Sequence, residues 1–438
     1  MPVDSPATDH RAHGLRPILL DAAEAHHHGL ITYAPDGTVT LRSPEVARRT
    51  GQDVVVVPPE RQYPAVRATL DDLNKAVSAR ANSPRMEGGL SLRQAYDAEL
   101  ERYEALSAEA MAEGRFEPDY GTYVYDPARG ELFLVAPERW HRLALVTSNS
   151  RLMADPEGAL SWSDVRARLE SAVMGFAGVS VGGNILEGWL REARPRRVKV
   201  ADPDWVELTN FNRGERMSLR HAVGSRASRF DPQNPYDVPR VPKAEYIAYE
   251  CQLVDPYLEV DVYGDGLTRE NIERFLLGGD GEPRLDVLVE EMDNMDLKVL
   301  VRQVAREHGI DVLMLSDFGH QAHVLWNPYR DVPGGPLGYG ADDETLLAAL
   351  AASKAGDRAK VFEFVGALCG HDYADAEFAD FIAGRGEQPT SSLPQSGATA
   401  MASDAIGGKE LALRVLGHPL PPGNRAVYDL LHRRVTVG

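Results

Sequence analysis

The stretch AVMGFAGVSVGGNILEGWL (residues 172–190), followed by RVKVADPDWVELTNFNRG (residues 197–214), decides the fold of this chain. A short apolar strand runs into a glycine-rich turn and a helix, and a second strand ends in acidic residues. The alternation continues with the strand-like segments LEVDVYGD, LDVLVEE and DVLMLSD and the amphipathic helix DLKVLVRQVAREHG. Short strands alternating with helices predict a Rossmann-like α/β fold, with a doubly wound, mostly parallel sheet. A ligand is expected at the carboxyl ends of its strands.

The regions on either side of this sheet predict two further parts. Residues 1–150 contain two hairpin signals and a strongly helical stretch, which indicate an N-terminal α+β domain of unknown role. Residues 151–330 form the predicted nucleotide-binding domain, and residues 331–438 a C-terminal helical extension that completes it. Residues 214–242 are an irregular insertion that is long for a loop in an α/β domain.

Composition excludes several classes of partner. The chain has 438 residues with 47 Lys and Arg against 66 Asp and Glu, a net charge of −19, which repels the phosphates of nucleic acids. The only cysteines, Cys251 and Cys369, exclude a disulfide framework and a four-cysteine zinc site, so we expect no zinc and a cytoplasmic location. No apolar run approaches the ~18 residues of a membrane helix, and the first residues do not resemble a signal peptide, so no membrane partner is expected.

The glycine loop and the acid after the next strand are the first candidate site residues. Gly178 and Gly182 would let backbone N–H groups approach an anionic phosphate at a helix N-terminus. Their spacing is not a regular G-x-G-x-x-G, so a tight turn without a ligand is the alternative for the loop alone. Asp202 follows about 20 residues later, where a Rossmann unit places the acid that binds ribose hydroxyls. A helix cap or a solvated acid is the alternative for Asp202.

Three side chains downstream favour a triphosphate over NAD. Asn210 and Arg213 lie in ELTNFNRG, and Lys243 follows the insertion. Arginine can hold the charge that builds up on phosphate oxygens, and lysine acts on phosphate as a point charge. Surface salt bridges are the alternative for Arg213 and Lys243. The sequence therefore predicts an ATP site.

An acid at the end of a later strand predicts a metal ligand. Asp293 and Asn294 end the segment LDVLVEEMDN. The carboxyl end of a parallel strand faces the ligand crevice, so Mg²⁺ is a natural partner for Asp293. Capping of the following helix is the alternative role for this pair, and both roles are compatible.

Taken together, these pieces resemble the superfamily of ATP-dependent adenylyltransferases that includes ThiF, MoeB and the ubiquitin-activating enzymes. The usual pattern is a glycine loop, D-x-D-x-V-E-x-x-N-L-N-R, a downstream Lys, and a strand that ends in D-x-x-D-N. Here it reads Asp202-Pro203-Asp204-Trp205-Val206-Glu207-Leu208-Thr209-Asn210-Phe211-Asn212-Arg213, then Lys243, then Glu290-Glu291-Met292-Asp293-Asn294. The match covers roughly residues 160–330, and the loop is most similar to a bacterial subgroup of ThiF-like proteins.

The resemblance implies a role for each matching residue. The phosphates would be cradled by the loop residues Gly178, Val179, Ser180 and Gly182. Asp202, with Asp204 beside it, would bind the ribose end, and Asn210, Arg213 and Lys243 would contact the triphosphate. Asp293 would bind Mg²⁺. The family's dimers imply a homodimer in which Arg151 of the other subunit reaches the γ-phosphate.

The implied reaction is the attack of a carboxylate on the α-phosphate of ATP, which gives an acyl adenylate and pyrophosphate. The carboxylate could belong to a peptide, the C-terminus of a small carrier protein, or a small acid. Many relatives carry paired C-x-x-C zinc motifs and a relay cysteine, whereas Cys251 and Cys369 read as core residues. A non-catalytic ThiF-like protein that binds a peptide and an NAD-dependent oxidoreductase are the alternatives.

Overall fold

The computed structural model divides into two compact units. The first comprises Met1–Arg166 and Ala248–Leu258, and the second comprises Ala167–Ile247 and Glu259–Gly438. The structure describes residues 16–62, 122–135, 138, 156–160, 162–214, 217, 241–354, 358–370, 378–380 and 396–438. The three-part division at residues 150 and 330 stays a prediction.

Two small antiparallel sheets make up the described part of the first unit. One sheet has the order β1-β5-β6 and the other the order β2-β3-β4. The elements are β1 (Ile18–Asp21), α1 (Ala22–His27), β2 (Ile31–Tyr33), β3 (Val39–Leu41), α2 (Pro44–Thr50), β4 (Val55–Val57), β5 (Thr122–Asp126) and β6 (Glu131–Val135). Apolar side chains from both sheets, such as Leu20, Leu41 and Tyr123, share one buried cluster. Both predicted hairpins, β2–β3 and β5–β6, are present.

An eight-stranded mixed sheet forms the centre of the second unit. Its strands are β7 (Met174–Ala177), β8 (Arg197–Ala201), β9 (Glu259–Tyr263), β10 (Val287–Glu290), β11 (Asp311–Phe318), β12 (Gln321–Asn327), β13 (Arg425–Asp429) and β14 (Arg434–Val437). Their order is β14-β13-β12-β11-β10-β7-β8-β9. The five strands from β11 to β9 in this order are parallel, and β12, β13 and β14 continue the sheet antiparallel.

Helices precede or follow most of these strands along the chain. They are α3 (Trp162–Ser171), α4 (Val181–Ala193), α5 (Lys243–Val254), α6 (Ile272–Leu277), α7 (Met295–Glu307), α8 (Asp343–Ser353), α9 (Arg358–Cys369) and α10 (Gly397–Val415), and α3 and α5 each lie partly in the first unit. Helix α4 packs along α10, and Trp326 of β12 donates its indole N–H to Glu410 of α10 at 3.0 Å. On another part of the sheet, α6 and α7 share an apolar cluster that includes Phe275, Leu288 and Val301.

The strand order reverses between β7 and β10. The chain runs outward from β7 through β8 to β9 and then returns to β10 on the other side of β7. In doubly wound sheets this reversal is where ligands bind, because the connections leave the sheet in opposite directions there. The glycine loop follows β7 and Asp293 follows β10. The predicted fold class is therefore confirmed, and the topology brings the predicted site residues to one edge.

Candidate nucleotide-binding site

The loop between β7 and α4 can only be built with glycine at its first position. Gly178 has a φ of +85°, and a Cβ there would lie 2.4 Å from the carbonyl oxygen of Glu291. The Gly178 N–H donates to the Ala201 carbonyl at 2.8 Å, and the Glu291 N–H donates to the Ala177 carbonyl at 2.8 Å. The loop is therefore fixed between β8 and the end of β10, with no space for a side chain.

The N-terminus of α4 has an unsatisfied polar atom. Ser180 is the N-cap of this helix, but its side chain makes no capping hydrogen bond. Its Oγ is buried, and within the described part of the chain it has no hydrogen-bond partner. A buried hydroxyl without a partner costs free energy, and the first N–H groups of a 13-residue helix also lack partners inside the helix. A phosphate oxygen would satisfy both, so the loop residues Gly178, Val179, Ser180 and Gly182 fit an anionic ligand.

Asp202 connects the acid after β8 to the glycine loop. Its Oδ2 accepts the Val179 N–H at 2.8 Å and its Oδ1 accepts the Asp204 N–H at 2.9 Å. A carboxylate has about four acceptor positions, so two stay available for ribose hydroxyls. Burial raises the pKa of Asp202 above its ordinary value, and the positive charge of Lys243 and the two backbone hydrogen bonds act in the opposite direction.

Lys243 lies beside these acids despite the long insertion before it. Its Nζ is 3.0 Å from Oδ2 of Asp204, whose side chain is 63% exposed, and its own side chain is buried. Two backbone hydrogen bonds place it there: Lys243 N–H donates to the Asp204 carbonyl, and Val206 N–H donates to the Val241 carbonyl, both at 2.9 Å. This short antiparallel pairing therefore holds the C-terminal end of the insertion against the segment that follows β8. Lys243 thus forms a salt bridge with Asp204, which was the alternative to a triphosphate contact. It also lies near Asp202.

The turn that carries Arg213 is stabilised by its own side chains. Asn210 is buried, and its Oδ1 accepts the Glu207 N–H at 2.9 Å in a reciprocal cap of the short helical turn Leu208–Asn210. The Arg213 guanidinium donates to the Thr209 carbonyl at 2.8 Å and to Asn212 Oδ1 at 3.1 Å. Asn210 therefore holds the turn, while Arg213 is partly exposed and folded back on it.

A buried ion pair fixes the end of β10. Glu290 has no solvent exposure, and its carboxylate lies 2.9 Å from Lys298 Nζ and 3.1 Å from Arg302 Nη2 on α7. The same carboxylate accepts the Met292 N–H at 3.0 Å, so it shapes the turn that leads to Asp293. Asp293 itself is exposed.

Two residues near Asp293 are tied into the adjacent elements, and one of them, Asn294, has the helix-capping role that the sequence offered as the alternative for the pair Asp293 and Asn294. Asn294 caps α7, with Oδ1 accepting the Leu297 N–H at 3.1 Å. Glu291 Oε1 accepts the Leu315 N–H at 2.6 Å, which adds one more hydrogen bond between β10 and β11 beyond the end of their pairing. Burial raises the pKa of Glu291 well above its ordinary value, against the opposing charge of Lys298.

Asp293 would be the protein's ligand to Mg²⁺. Among the described residues, no three His, Cys, Asp or Glu side chains come together as a metal-binding group. Mg²⁺ in nucleotide sites typically needs only one or two carboxylates, because phosphate oxygens and water complete its octahedral shell. A single exposed carboxylate just after β10, the strand that pairs with β7 before its glycine loop, is compatible with that kind of site.

Arg151 lies outside the described residues, so its assignment stays a prediction. The two cysteines are buried, and no disulfide joins them. Burial raises the pKa of Cys369 to about 11. A thiol with such a pKa is almost fully protonated at neutral pH and is a poor nucleophile, which is consistent with the expectation that no cysteine relays the acyl group.

Sequence reasoning missed two contacts from distant helices to the turn that carries Arg213. Asn184 of α4 donates from Nδ2 to the Arg213 carbonyl at 2.6 Å. Gly397, the first residue of α10, has no space for a side chain, because a Cβ there would lie 2.1 Å from the Asn212 carbonyl oxygen. The only signal for Asn184 is an amide within the otherwise apolar segment VGGNIL, and no local pattern marks Gly397.

Comparison with known proteins gives two curated relatives. No family model matches the chain. The chain is similar to an uncharacterized protein of Mycobacterium tuberculosis (strain CDC 1551 / Oshkosh), with 29% identity over 205 residues, which are 46% of this chain and 25% of that protein. It is also similar to tRNA threonylcarbamoyladenosine dehydratase 2 of Saccharomyces cerevisiae (strain ATCC 204508 / S288c), with 30% identity over 141 residues. This match covers 32% of the chain and 26% of the dehydratase, so the chain matches about a quarter of either relative.

The similarity to the yeast protein supports the resemblance to the adenylyltransferase superfamily, because that dehydratase belongs to the ThiF family. Proteins of this family are adenylyltransferases or related enzymes. Among solved structures, a crystal structure of E. coli MccB aligns over 93% of this chain and 91% of the MccB chain, at a TM-score of 0.41 and 11% identity. A likeness of this degree says nothing about individual site residues.

No helix in the described part of the chain is both long enough and apolar enough to cross a membrane.

Proposed function

We propose that this chain uses ATP to activate a carboxylate as an acyl adenylate, with release of pyrophosphate. The observation that carries the proposal is the connection between Asp202 and the glycine loop, with Lys243 beside it and the unpartnered Ser180 hydroxyl at the start of α4. This arrangement offers acceptors for a ribose at one end and donors for phosphates at the other. NAD would use the ribose end, but it does not require the two cations Arg213 and Lys243.

Each residue of the site has a binding or orienting role in this reaction. Asp202 would hold the ribose hydroxyls, and the N–H groups at Val179 to Gly182 would hold phosphate oxygens. A carboxylate oxygen of the substrate forms a bond to the α-phosphorus, and the bond from that phosphorus to the bridging oxygen breaks, so pyrophosphate leaves with its electron pair. Arg213 and Lys243 would neutralise the negative charge that moves onto the leaving group. Asp293 would hold Mg²⁺, and the bound ion would neutralise further negative charge on the phosphates.

The substrate is a peptide, the C-terminus of a small carrier protein, or a small acid. The buried thiol of Cys369 and the equally buried Cys251 make a protein-bound thioester an unsuitable next step. The nucleophile that receives the acyl group is therefore brought by the substrate or by a partner. In the proposed homodimer, Arg151 of the other subunit would add a positive charge at the γ-phosphate.

The test is ATP–pyrophosphate exchange with the purified protein, Mg²⁺ and a panel of peptides, carrier C-terminal peptides and small acids. We expect exchange with one of these classes, and we expect Arg213→Ala and Asp293→Ala to lower it by about a hundredfold or more, as for other groups that stabilise transition-state charge. Arg269→Ala and Asp53→Ala, which remove exposed charges elsewhere, are the matched controls and should keep the wild-type rate.

The outcomes separate the alternatives. Absence of exchange together with absence of ATP binding in calorimetry would overturn the proposal. Tight ATP binding without exchange for any carboxylate would favour the non-catalytic, peptide-binding alternative. Full activity in both Arg213→Ala and Asp293→Ala would show that the site residues are wrongly assigned.

A further inference from the structure

The turn Asn210–Gly214 is fixed by contacts from two helices that are far apart in sequence. From one side, Asn184 of α4 donates a hydrogen bond of 2.6 Å to the Arg213 carbonyl. From another, the first residue of α10, Gly397, packs against the Asn212 carbonyl so closely that a Cβ would be 2.1 Å from its oxygen. The main chain on both sides of the Arg213 Cα is therefore held in place.

The contact from Asn184 ties Arg213 to the glycine loop. Asn184 is the fourth residue of α4, one turn after Val181, and it is only 2% exposed. A buried amide is costly unless it is hydrogen-bonded, so its bond to the Arg213 carbonyl is strongly favoured. The position of Arg213 relative to the phosphate-binding end of α4 is thereby set by one short side chain.

The contact from Gly397 depends on how the start of α10 is anchored. Ser396 caps the helix, and Thr399 is fully buried and donates from its hydroxyl to the Gly319 carbonyl, between β11 and β12, at 3.3 Å. The first turn of α10 is thus attached to the sheet edge and cannot move away freely. A side chain at residue 397 would displace the Asn212 carbonyl rather than the helix.

We propose that Asn184 and Gly397 are positioning residues that keep Arg213 at the phosphate end of the nucleotide site. This inference rests on the proposed function, in which Arg213 acts on the triphosphate. Neither residue would touch ATP. Their effect is to fix the backbone of the turn, so that little ordering of Arg213 is needed when phosphates bind.

The test compares ATP and AMP binding by titration calorimetry in Asn184→Ala and Gly397→Ala. Because both act through Arg213, we expect ATP affinity to fall about tenfold, as for loss of one charged hydrogen bond, while AMP affinity changes less than about twofold. A purely structural defect would weaken both ligands alike. Ala398→Ser, at the exposed neighbour of Gly397, and Arg191→Gln, at the exposed end of α4, are the matched controls.

A double mutant distinguishes this inference from the proposed function. Gly397→Ala combined with Arg213→Ala should bind ATP no more weakly than Arg213→Ala alone, because the two changes remove the same interaction. Additive losses, or equal losses for ATP and AMP, would overturn the positioning role. If Arg213→Ala itself leaves ATP affinity unchanged, the assignment of Arg213 in the proposed function fails instead. Thermal unfolding of each variant shows whether the protein is folded. If Asn184→Ala is not, Asn184→Leu removes the donor at similar size without adding a buried charge, and if Gly397→Ala is not, the Asn184 variant takes its place in the double mutant.

Discussion

The buried Ser180 hydroxyl has no hydrogen-bond partner in the part of the chain that the structure describes. It is buried at the start of α4, between the glycine that the chain needs at residue 178 and the first free N–H groups of the helix. An unsatisfied buried hydroxyl destabilises the protein without its ligand, whereas it adds a hydrogen bond when a phosphate is bound. Stability and binding therefore change in opposite directions when this atom is removed.

We predict that Ser180→Ala leaves the ligand-free protein as stable as the wild type or up to about 1 kcal/mol more stable, since no protein hydrogen bond is lost. ATP affinity should fall about fivefold to tenfold because a bond to phosphate disappears. Urea denaturation and calorimetry measure the two quantities. Ser171→Ala, at an exposed serine, serves as the control. An unchanged ATP affinity would mean that the hydroxyl does not face the ligand.

At the level of residues, the sequence points to candidate ligand-binding groups but not to the residues that support them. Asp202 and Lys243 could be assigned because their chemical types occur in order along a strand–helix pattern. The distance between them in the structure depends on the backbone hydrogen bond between Val206 and Val241. The sequence does not predict this contact, because the insertion lies between the two residues. No role could be assigned to Asn184, because the role of a buried amide depends on the acceptor of its hydrogen bond, which the sequence does not identify.

Helices α4 and α10 pack closely along each other. Gly188 of α4 faces Asp404 and Gly408 of α10, and a Cβ on Gly188 would lie 2.4 Å from the Asp404 carbonyl oxygen. The absence of side chains lets the two backbones approach each other directly. This approach fixes α10, whose first turn contacts the segment that carries Arg213.

Gly188→Ala tests whether this close packing contributes to stability. Alanine favours a helix over glycine by up to about 1 kcal/mol, so an uncrowded site would be stabilised. Here the added methyl group forces the helices apart, and we expect a net loss of about 1–3 kcal/mol in the free energy of unfolding. Chemical denaturation gives this value, and Gly264→Ala, where an added Cβ meets no atom within 4 Å, is the control. A stabilised Gly188→Ala variant would contradict the crossing geometry.

At the level of elements, the repeated strand–helix pattern predicted the parallel part of the sheet and the helices α4 and α7 closely. It did not predict that β12 and β13 continue the sheet antiparallel. The segment of β12 follows β11 after a two-residue turn that contains Gly319, and its apolar run is too short to distinguish a strand from a loop. Its pairing with β13 joins residues about a hundred positions apart, which no local pattern encodes.

At the level of the whole molecule, the proposed homodimer makes one active site depend on two chains. Arg213 would act within its own subunit, whereas Arg151 would act in the site of the other subunit. Two inactive variants can therefore complement each other if they exchange subunits. A chain that carries Arg151→Ala keeps an intact Arg213 in its own site. A chain that carries Arg213→Ala can still supply Arg151 to the site of the other subunit.

We predict that an equal mixture of Arg151→Ala and Arg213→Ala proteins, dissociated and reassembled together, recovers about a quarter of the wild-type exchange rate, because half of the dimers are mixed and each has one complete site. Light scattering should first show a dimer for each protein. Separately, both variants should be nearly inactive, and mixing without subunit exchange should restore nothing. A monomer in solution, or full activity of Arg151→Ala alone, would remove the role of Arg151 and leave Lys243 and Arg213 of one chain as the cationic groups around the phosphates.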